Sequence, residues 1–410
     1  MRIKAECCFH SVGQGLFYTG ILSKRECEYE QFSFVYDCGS FNRSALNNEI
    51  DLFLSDSLWV KPGKKKKIDL LVISHFHADH INGLVRLLKK CEVDTAIIPY
   101  YTKEELAGFL ADYLDNSVDR IERAAMLSFF VNPPAFLSDY SVKKVLLVNN
   151  HEKPYDEPEH EKSKYDAVGK DINPSKSRVI LGDERFIRSS NNTRVSITYS
   201  NPEFCLDDFS WQFKFENAPI NRDVWKNLIK DISGVLKGEP LKDFIKKGNF
   251  KEIRVVFDKY KKECGLTLNR TSLTMFHDAI HDVKKSMYVA TPHGRYRNPF
   301  YPHCSTKTGT FVSGDIELNE NEEPNILKCH GKQISFFQVP HHGSKDNWCK
   351  KNWLQYSFDS FIISHGIKNN FNHPHYTVVT DIMKERPLFL VNEYNRFSYT
   401  FFCDTDKQTV

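Results

Sequence analysis

The sequence feature that most constrains the fold is a cluster of imidazoles and one carboxylate directly after a short apolar run. Residues 68–74 are IDLLVIS, and His-Phe-His-Ala-Asp-His follows at 75–80. At this length a buried strand explains the apolar run better than a helix. Residues 81–90 (INGLVRLLKK) have helical spacing and a basic end, which suits the negative end of a helix dipole. The cluster is therefore expected on a strand-to-helix loop, where α/β proteins usually place their chemistry.

The side chains of this cluster are metal ligands by type and by spacing. Imidazole and carboxylate groups suit zinc, and they also suit manganese or iron when oxygen ligands are added. His75 and His77 are two positions apart, so both imidazoles can face one ion. Asp79 and His80 follow where the backbone turns into the helix, so they can face a second ion. A solvated polar loop is the alternative, but four ligands within six residues favour metal binding.

Three more predicted strands, in the second half of the chain, also end in polar clusters. They are GTFVSGD, ISFFQVPHH and FDSFIISHG, the last followed by KNNFNHPH. A single histidine in such a place is more often structural, but all these clusters follow apolar strands, so their ends are expected to meet on one rim. An aspartate there could bridge two cations about 3.5–4 Å apart. The candidate residues are Asp315, His341, His342, His365 and His373.

Composition limits the class of protein and its compartment. With 40% hydrophobic and 13% aromatic residues, the 410-residue chain has ample material for a buried core, which excludes a disordered protein. A formal charge of +3 neither requires nor excludes a nucleic-acid partner. Eleven cysteines without CxxC spacing indicate reduced thiols. No signal peptide and no apolar stretch of about 20 residues is found, so we expect a cytoplasmic protein with no membrane contact.

Strands in both halves with helices between them predict a layered α/β protein, with residues 1–410 forming a single domain. Residues 222–263 contain helical patterns separated by Gly-Glu-Pro, and we predict a helical insertion there. Residues 279–308 are predicted as a loop insertion between two neighbouring strands, TSLTMF and GTFVSG.

The motifs together resemble a known family. The HxHxDH signature resembles metallo-β-lactamase-fold hydrolases, and the fuller pattern is similar to the hydrolase domain of the ComEC/Rec2 competence proteins. The similarity extends from residue 9 to about residue 402, apart from the insertions. The matching motifs are, in chain order, VGQG at 12–15, YDCG at 36–39, SHFHADHINGL at 74–84, NRTSL at 269–273, SGDIE at 313–317, VPHHGS at 339–344 and IISHGIKNNFNHPH at 362–375.

The resemblance implies an αββα metallo-β-lactamase sandwich, two divalent metal ions (zinc or manganese) at the edge of the sheets, and hydrolysis of a phosphodiester or another ester-like bond. It further implies that Asp37 supports the metal loop and that Asp315 bridges the ions. The expected metal ligands are His75, His77, Asp79, His80, Asp315, His341 and His365. The expected catalytic residues are Asp79, His342 and His373.

The chain also departs from the family pattern. Leu16 stands where members commonly have Asp, and His77 stands where the competence proteins often carry Asp. The competence proteins join this domain to a membrane channel, so a role in DNA uptake does not carry over. The wider fold supplies one more histidine between the first motif and the bridging aspartate. Six residues are candidates for it: His151, His160, His277, His281, His293 and His303.

The resulting hypothesis is metal-assisted hydrolysis by a hydroxide that bridges two cations and is oriented by Asp79. One of His341, His342 or His373 would meet the negative charge of the transition state or protonate the leaving oxygen. The expected substrate is a nucleic acid or nucleotide phosphodiester. The alternatives are a small-molecule hydrolase (lactonase, thioesterase or cyclic-nucleotide phosphodiesterase) and a non-catalytic metal-bound scaffold that binds a protein partner through 222–263.

Overall fold

The strands and helices of the chain are given by a computed structural model. It describes residues 2–25, 27–55, 65–116, 120–149, 177–180, 185–190, 193–217, 222–247, 250–264, 267–280, 284–291, 294–296, 307–318 and 322–404. The strands are β1 (Arg2–Phe9), β2 (Tyr18–Lys24), β3 (Cys27–Tyr36), β4 (Lys66–Val72), β5 (Cys91–Pro99), β6 (Lys144–Val148), β7 (Ser177–Ile180), β8 (Arg185–Ser190), β9 (Thr193–Thr198), β10 (Glu203–Leu206), β11 (Trp211–Asn217), β12 (Leu273–Ala279), β13 (Lys284–Thr291), β14 (Gly294–Tyr296), β15 (Gly309–Val312), β16 (Ile334–Gln338), β17 (Ser360–Ser364), β18 (Leu388–Val391) and β19 (Phe397–Asp404). The α-helices are α1 (Arg43–Ser55), α2 (Ala78–Ile81), α3 (Leu84–Lys90), α4 (Lys103–Asn116), α5 (Arg120–Val131), α6 (Pro133–Asp139), α7 (Arg222–Leu236), α8 (Leu241–Lys247), α9 (Phe250–Cys264), α10 (Asn325–His330), α11 (Lys350–Leu354) and α12 (Tyr376–Glu385).

The strands form two sheets. The first sheet has the order β14-β13-β19-β1-β2-β3-β4-β5-β6-β9-β8, and the second has the order β18-β17-β16-β15-β12-β11-β10-β7. Neighbouring strands are parallel from β3 through β4, β5 and β6 to β9 in the first sheet, and from β15 to β18 in the second. Carboxyl ends of neighbouring parallel strands lie at the same edge of a sheet. The loops that leave these strands therefore gather at one edge of each sheet.

Alternating side chains divide the core into three layers. On β3, Phe34 and Tyr36 belong to the apolar cluster between the two sheets. Val35 points the other way and belongs to the cluster between the first sheet and the helices α1 and α3 to α9. On β16, Phe336 faces the other sheet and Phe337 packs with the helices of the second half. Because successive strand residues point to opposite faces, both sheets are covered on both sides. The chain is thus an αββα sandwich, as the family resemblance implied.

Three helices, α7, α8 and α9, lie in the span predicted as a helical insertion, and we call them the helical arm. The arm packs on α4. A Cβ atom at Gly108 of α4 would lie 2.2 Å from the ring of Phe257 of α9, so only glycine permits this approach. On α7, the Trp225 indole donates a hydrogen bond to the buried Glu105 carboxylate at 2.8 Å. The arm is therefore held firmly against the first sheet's helical layer.

The prediction of a loop at 279–308 is wrong for part of this span. Residues 284–291 and 294–296 form β13 and β14, and β13 pairs antiparallel with β19. The pairing satisfies the backbone groups of a strand that would otherwise form a sheet edge, which favours strand over loop. Residues 281–283, 292–293 and 297–306 lie outside the described residues. The two strands that flank the span, β12 and β15, are neighbours in the second sheet, as expected.

The sequence predicted that the chain has no membrane contact and that its thiols are reduced. Within the described residues, no helix is both long enough and apolar enough to cross a membrane. Nine cysteines whose side chains the structure describes form no disulfide. Their thiols include the buried Cys7 and Cys91, and burial raises the pKa of each to about 12.

A buried histidine, His277 on β12, connects the two sheets. Its Nδ1 accepts from the Trp211 indole N–H at 3.3 Å, because an indole can only donate. The proton of His277 therefore lies on Nε2, which donates to the Tyr18 hydroxyl at 2.7 Å. The Tyr18 hydroxyl also lies 2.6 Å from that of Tyr399. Burial lowers the pKa of His277 to about 3, so the ring is neutral in the folded protein near neutral pH.

We predict that His277 makes the free energy of unfolding fall as the pH drops below 6.5. The unfolded chain then binds a proton that the folded chain takes up only near pH 3, so between these values stability decreases by up to about 1.4 kcal/mol per pH unit. Chemical denaturation from pH 7 to pH 5 should show a smaller loss of stability for His277→Gln than for the wild type. His330→Gln, at a partly exposed histidine, is the control. An unchanged pH dependence in His277→Gln would contradict the assignment.

Candidate metal centre

The loops that leave β4 and β15 to β17 bring the predicted ligands to one place. Two groups of residues each place their ligand atoms within 4.8 Å of one another. One group combines the 75–77 loop with the loop after β15, and the other combines α2 with the loops after β15 and β16. The groups are His75, His77 and Asp315, and Asp79, His80, Asp315 and His342.

The Asp315 carboxylate is common to both groups and is only 2% exposed. Its Oδ1 lies 3.1 Å from His80 Nε2 and 3.9 Å from His342 Nε2. Its Oδ2 lies 3.9 Å from His75 Nε2 and 3.7 Å from His341 Nε2. The two oxygens of one carboxylate therefore face two different sets of imidazole nitrogens, which is the arrangement of a bridging ligand.

Hydrogen bonds fix which nitrogen of two imidazoles faces the centre. His80 Nδ1 donates to Asp37 Oδ2 at 2.7 Å, and His342 Nδ1 donates to the carbonyl oxygen of Ser364 at 2.8 Å. A carbonyl and an ionised carboxylate can only accept, so both Nδ1 atoms carry a proton. The Nε2 atoms of both rings are left to face Asp315 with a lone pair or a second proton.

The same support extends to His75. Ser74 Oγ donates its single proton to Asp37 Oδ2 at 2.6 Å, so it accepts from His75 Nδ1 at 2.9 Å. The backbone N–H of Ser74 donates to Asp37 Oδ1 at 2.7 Å. His75 Nε2 then lies 3.0 Å from His77 Nδ1. The one buried carboxylate of Asp37 therefore orients two of the candidate ligands.

His80 Nε2 and Asp315 Oδ1 lie 3.1 Å apart in the middle of the cluster but are not aligned for a hydrogen bond, and neither atom has another hydrogen-bond partner among the residues that the structure describes. Both are buried, and buried polar atoms are nearly always paired. A cation between them would satisfy both atoms at once. Imidazole nitrogens and carboxylate oxygens in this number are the donors that zinc and manganese accept, so the residues fit a divalent ion.

The electrostatics of the cluster are those of a site for positive charge. Burial disfavours protonated His80, but the carboxylates of Asp315, Asp37 and Asp79 outweigh it and raise its pKa well above the usual value. Burial alone would raise the pKa of Asp315, yet the imidazoles around it, above all His80, hold that pKa well below its usual range. Protons on the imidazoles thus occupy the role that a cation would take, so cation binding releases protons.

Backbone strain is concentrated at this site. Asp37, His341, His342 and Asn372 have φ values of 56°, 48°, 55° and 57°, in the left-handed region that residues other than glycine rarely adopt. Hydrogen bonds hold two of them, from Asp37 N to Val72 O at 2.9 Å and from His341 N to Gly314 O at 3.2 Å. Strain of this kind costs about 1–3 kcal/mol per residue and is typical of functional sites.

The remaining predicted residues lie near the cluster but outside both groups. His341 Nδ1 is 2.8 Å from Asn347 Oδ1, and the ring of His373 lies 5.2 Å from that of His341. Burial, then the charges of neighbouring histidines, lower the pKa of His373 to about 4. His365 is buried, with Nδ1 3.2 Å from the Gly366 carbonyl. Ligation by His341 and His365 and catalysis by His373 stay predictions, whereas His342, predicted to be catalytic, lies within one group.

Of the six candidates for the additional histidine, only His277 lies in the described part of the chain, and it is in the core between the sheets. The other five, His151, His160, His281, His293 and His303, lie outside the described residues. Asn269 and Asn347, both of which contact His341, were not among the residues predicted for the site. The position of Asn269 at the start of the NRTSL motif was the available signal.

The cluster opens into a cleft of about 640 Å³. Part of its lining comes from His77, Asp79 and Asp315 of the cluster. Residues of α4 and of α9 in the helical arm form another part, and the rest comes from several loops, including those after β3, β16 and β17. A substrate in this cleft would therefore touch both the candidate metal ligands and the arm.

Comparison with known proteins finds a family similarity for part of the chain. Residues 28–188 match the model of the Metallo-beta-lactamase superfamily, which is about two fifths of the chain. The matched span includes Asp37 and the cluster at 75–80, whereas Asp315 and His342 lie beyond it. No curated protein matches the chain. A buried Asp/His cluster in such a domain is consistent with a metal-dependent hydrolase.

We predict that Asp37→Asn weakens metal binding by about 10- to 100-fold, as is typical when the hydrogen-bond partner of a metal-bound histidine is lost. Ser74 Oγ and His80 Nδ1 both donate to the Asp37 carboxylate. In Asp37→Asn the amide nitrogen would face one of these donors with its own N–H group, so that hydrogen bond would be lost. Competition with a chromophoric chelator measures the affinity. Asp51→Asn, at an exposed carboxylate paired with Arg86 and Lys90, is the control. Equal affinities of Asp37→Asn and wild type would rule out the support role.

Proposed function

We propose that this chain is a metal-dependent phosphodiesterase or nuclease that uses two divalent ions, zinc or manganese. The observation that carries the proposal is the Asp315 carboxylate, whose two oxygens face different sets of imidazoles. Enzymes that hydrolyse phosphodiesters with two metals hold the ions about 3.5–4 Å apart, a distance that one carboxylate can bridge. The family match at 28–188 supports a hydrolase on this fold.

His75 and His77, with Oδ2 of Asp315, would hold one ion. Asn347 Nδ2 donates to the carbonyl oxygens of Asp315 and Ile316, which directs its Oδ1 to His341 Nδ1. His341 Nδ1 then donates, and its Nε2, 3.7 Å from Asp315 Oδ2, is left free to act as a third imidazole ligand. His365, outside both groups, is the remaining proposed ligand.

Asp79, His80 and His342, with Oδ1 of Asp315, would hold the second ion. Divalent ions supply the positive charge that lowers the pKa of an attacking water and stabilises the negative charge of the transition state. The Asp79 carboxylate, with Oδ2 3.1 Å from His342 Nε2, is placed to accept a hydrogen bond from that water and orient it. His373 is neutral at pH 7 and can donate an N–H group to an oxygen of the substrate.

The proposed substrate class is a nucleotide or nucleic-acid phosphodiester. The resemblance of seven ordered motifs to the ComEC/Rec2 hydrolase domain supports it. The arm residues in the cleft lining support a role in substrate binding over a role in docking a separate protein. The eleven cysteines without CxxC spacing support action in the reducing cytoplasm.

We predict that Asp79→Ala and His80→Ala each lower the rate of bis(p-nitrophenyl) phosphate hydrolysis by at least about a thousandfold. Each substitution removes a ligand of a metal ion that stabilises the transition state by several kcal/mol. Rates would be measured with Mn²⁺ and with Zn²⁺, together with metal content by elemental analysis. His330→Ala, far along the chain on α10, is the control and should retain the wild-type rate.

Two outcomes would contradict the proposal in different ways. Bound metal without turnover of any phosphodiester would favour a metal-bound scaffold. Turnover of a lactone or thioester, with no activity on phosphodiesters, would favour a small-molecule hydrolase. Both outcomes leave the metal centre in place and change only its use.

A further inference from the structure

We propose that the cleft binds single-stranded nucleic acid, with Arg254 and Lys261 of the helical arm on its phosphates and Phe371 stacked on a base. The inference rests on the proposed function and names the substrate of that same site. Its basis is the pair of surfaces that line the cleft beside the candidate metal ligands.

The first surface is one face of α9. Arg254, Phe257, Asp258 and Lys261 of this helix line the cleft. Arg254 and Lys261 are seven residues apart, so they lie on one face of the helix and roughly 10 Å apart along its axis. Two cations at this separation can contact two different phosphates of one strand. A single nucleotide monophosphate has one phosphate and can contact only one of the two cations.

The position of α9 relative to the metal centre is fixed through α4. The ring of Phe109 on α4 lies 5.2 Å from that of His77. The adjacent Gly108 contacts Phe257 of α9. On the other side of the arm, the Tyr260 hydroxyl donates to Asp231 of α7 at 3.0 Å. The cations thus belong to a packed unit that touches a candidate ligand, so phosphates bound to them have a defined position relative to the site of hydrolysis.

The second surface is aromatic. Phe371 is 50% exposed, and its ring stacks with those of Phe41 at 5.8 Å and of His373 at 6.0 Å. All three residues line the cleft. Stacking of a nucleobase on an exposed aromatic ring is tolerant of base type and is a common feature of single-strand binding. A base inside a duplex is already stacked on both faces, so this surface favours an unpaired strand.

Carboxylates in the cleft limit how strongly a polyanion can bind through charge alone. Besides the cluster, the lining contains Asp112, Asp258, Glu317 and Asp346, against the two cations of α9. Nonspecific attraction is therefore weak, and binding depends on those two cations, on the aromatic surface and on loading of the metal centre. Each phosphate contact on a single strand changes the slope of log K against log salt by about 0.7.

The test is fluorescence anisotropy of the metal-loaded protein with a short phosphorothioate single strand, which resists hydrolysis, at several salt concentrations. Lys261→Ala should weaken binding by about tenfold and reduce the salt slope by about 0.7. Lys262→Ala removes the same charge one position along the exposed end of α9, outside the cleft lining, and is the matched control that should keep the slope. Equal losses in the two variants would overturn the assignment of α9.

Phe371→Ala should weaken binding of the single strand by about 5- to 150-fold, the equivalent of one stacked base. Tyr394→Ala is the matched control, because Tyr394 is 78% exposed and does not line the cleft. Both side chains are exposed, so neither substitution disturbs the core. Wild-type affinity in Phe371→Ala, or tighter binding of a duplex than of the single strand, would overturn the proposal.

The binding readout separates this inference from the proposed function. If the strand binds as expected but no phosphodiester is hydrolysed, the proposed reaction is wrong and the binding surface stands. If bis(p-nitrophenyl) phosphate is hydrolysed but the strand does not bind, the reaction stands and the present inference is wrong.

Discussion

The buried Asp315 carboxylate lies where loops from both sheets meet, and its two oxygens face different imidazoles. A buried negative charge is costly unless positive charge compensates it. Here the compensation comes from the imidazoles of His75 and His80, in the segment after β4, and from those in the loop after β16. The attraction between this carboxylate and these imidazoles therefore holds the edge of the first sheet against that of the second. The apolar layer between the sheets sets the distance at which these loops meet. A cation pair would provide the same compensation and also satisfy His80 Nε2, which is buried and has no hydrogen-bond partner within the described ranges.

The candidate ligands are held in place before any cation binds. Asp37 and Ser74 orient His75 and His80 through one connected network, and a backbone carbonyl orients His342. Such support raises metal affinity because the ligands lose little freedom on binding. The left-handed backbone at several of these residues has a conformational cost that the surrounding hydrogen bonds and packing must offset. The fold thus places imidazoles of fixed orientation around the Asp315 carboxylate.

Local patterns in the sequence predicted the strands, the cluster at 75–80 and the helicity of the arm, because each depends on near neighbours in the chain. They could not show how the rings of His341 and His342 are directed, since tertiary contacts set the left-handed backbone of these two residues. The strands β13 and β14 were also beyond local pattern, because they depend on pairing with the distant β19. The place of the arm in the cleft depends on the approach of α9 to Gly108, a contact between residues far apart in sequence.

We propose that two divalent ions share Asp315. Anomalous diffraction at the zinc or manganese absorption edge, from crystals of the metal-loaded protein, locates such ions without reference to activity. We expect two peaks within bonding distance of Asp315, one beside His75 and His77 and the other beside Asp79, His80 and His342. Peaks elsewhere on the molecule, with the atoms around Asp315 bound only to protons or water, would contradict it.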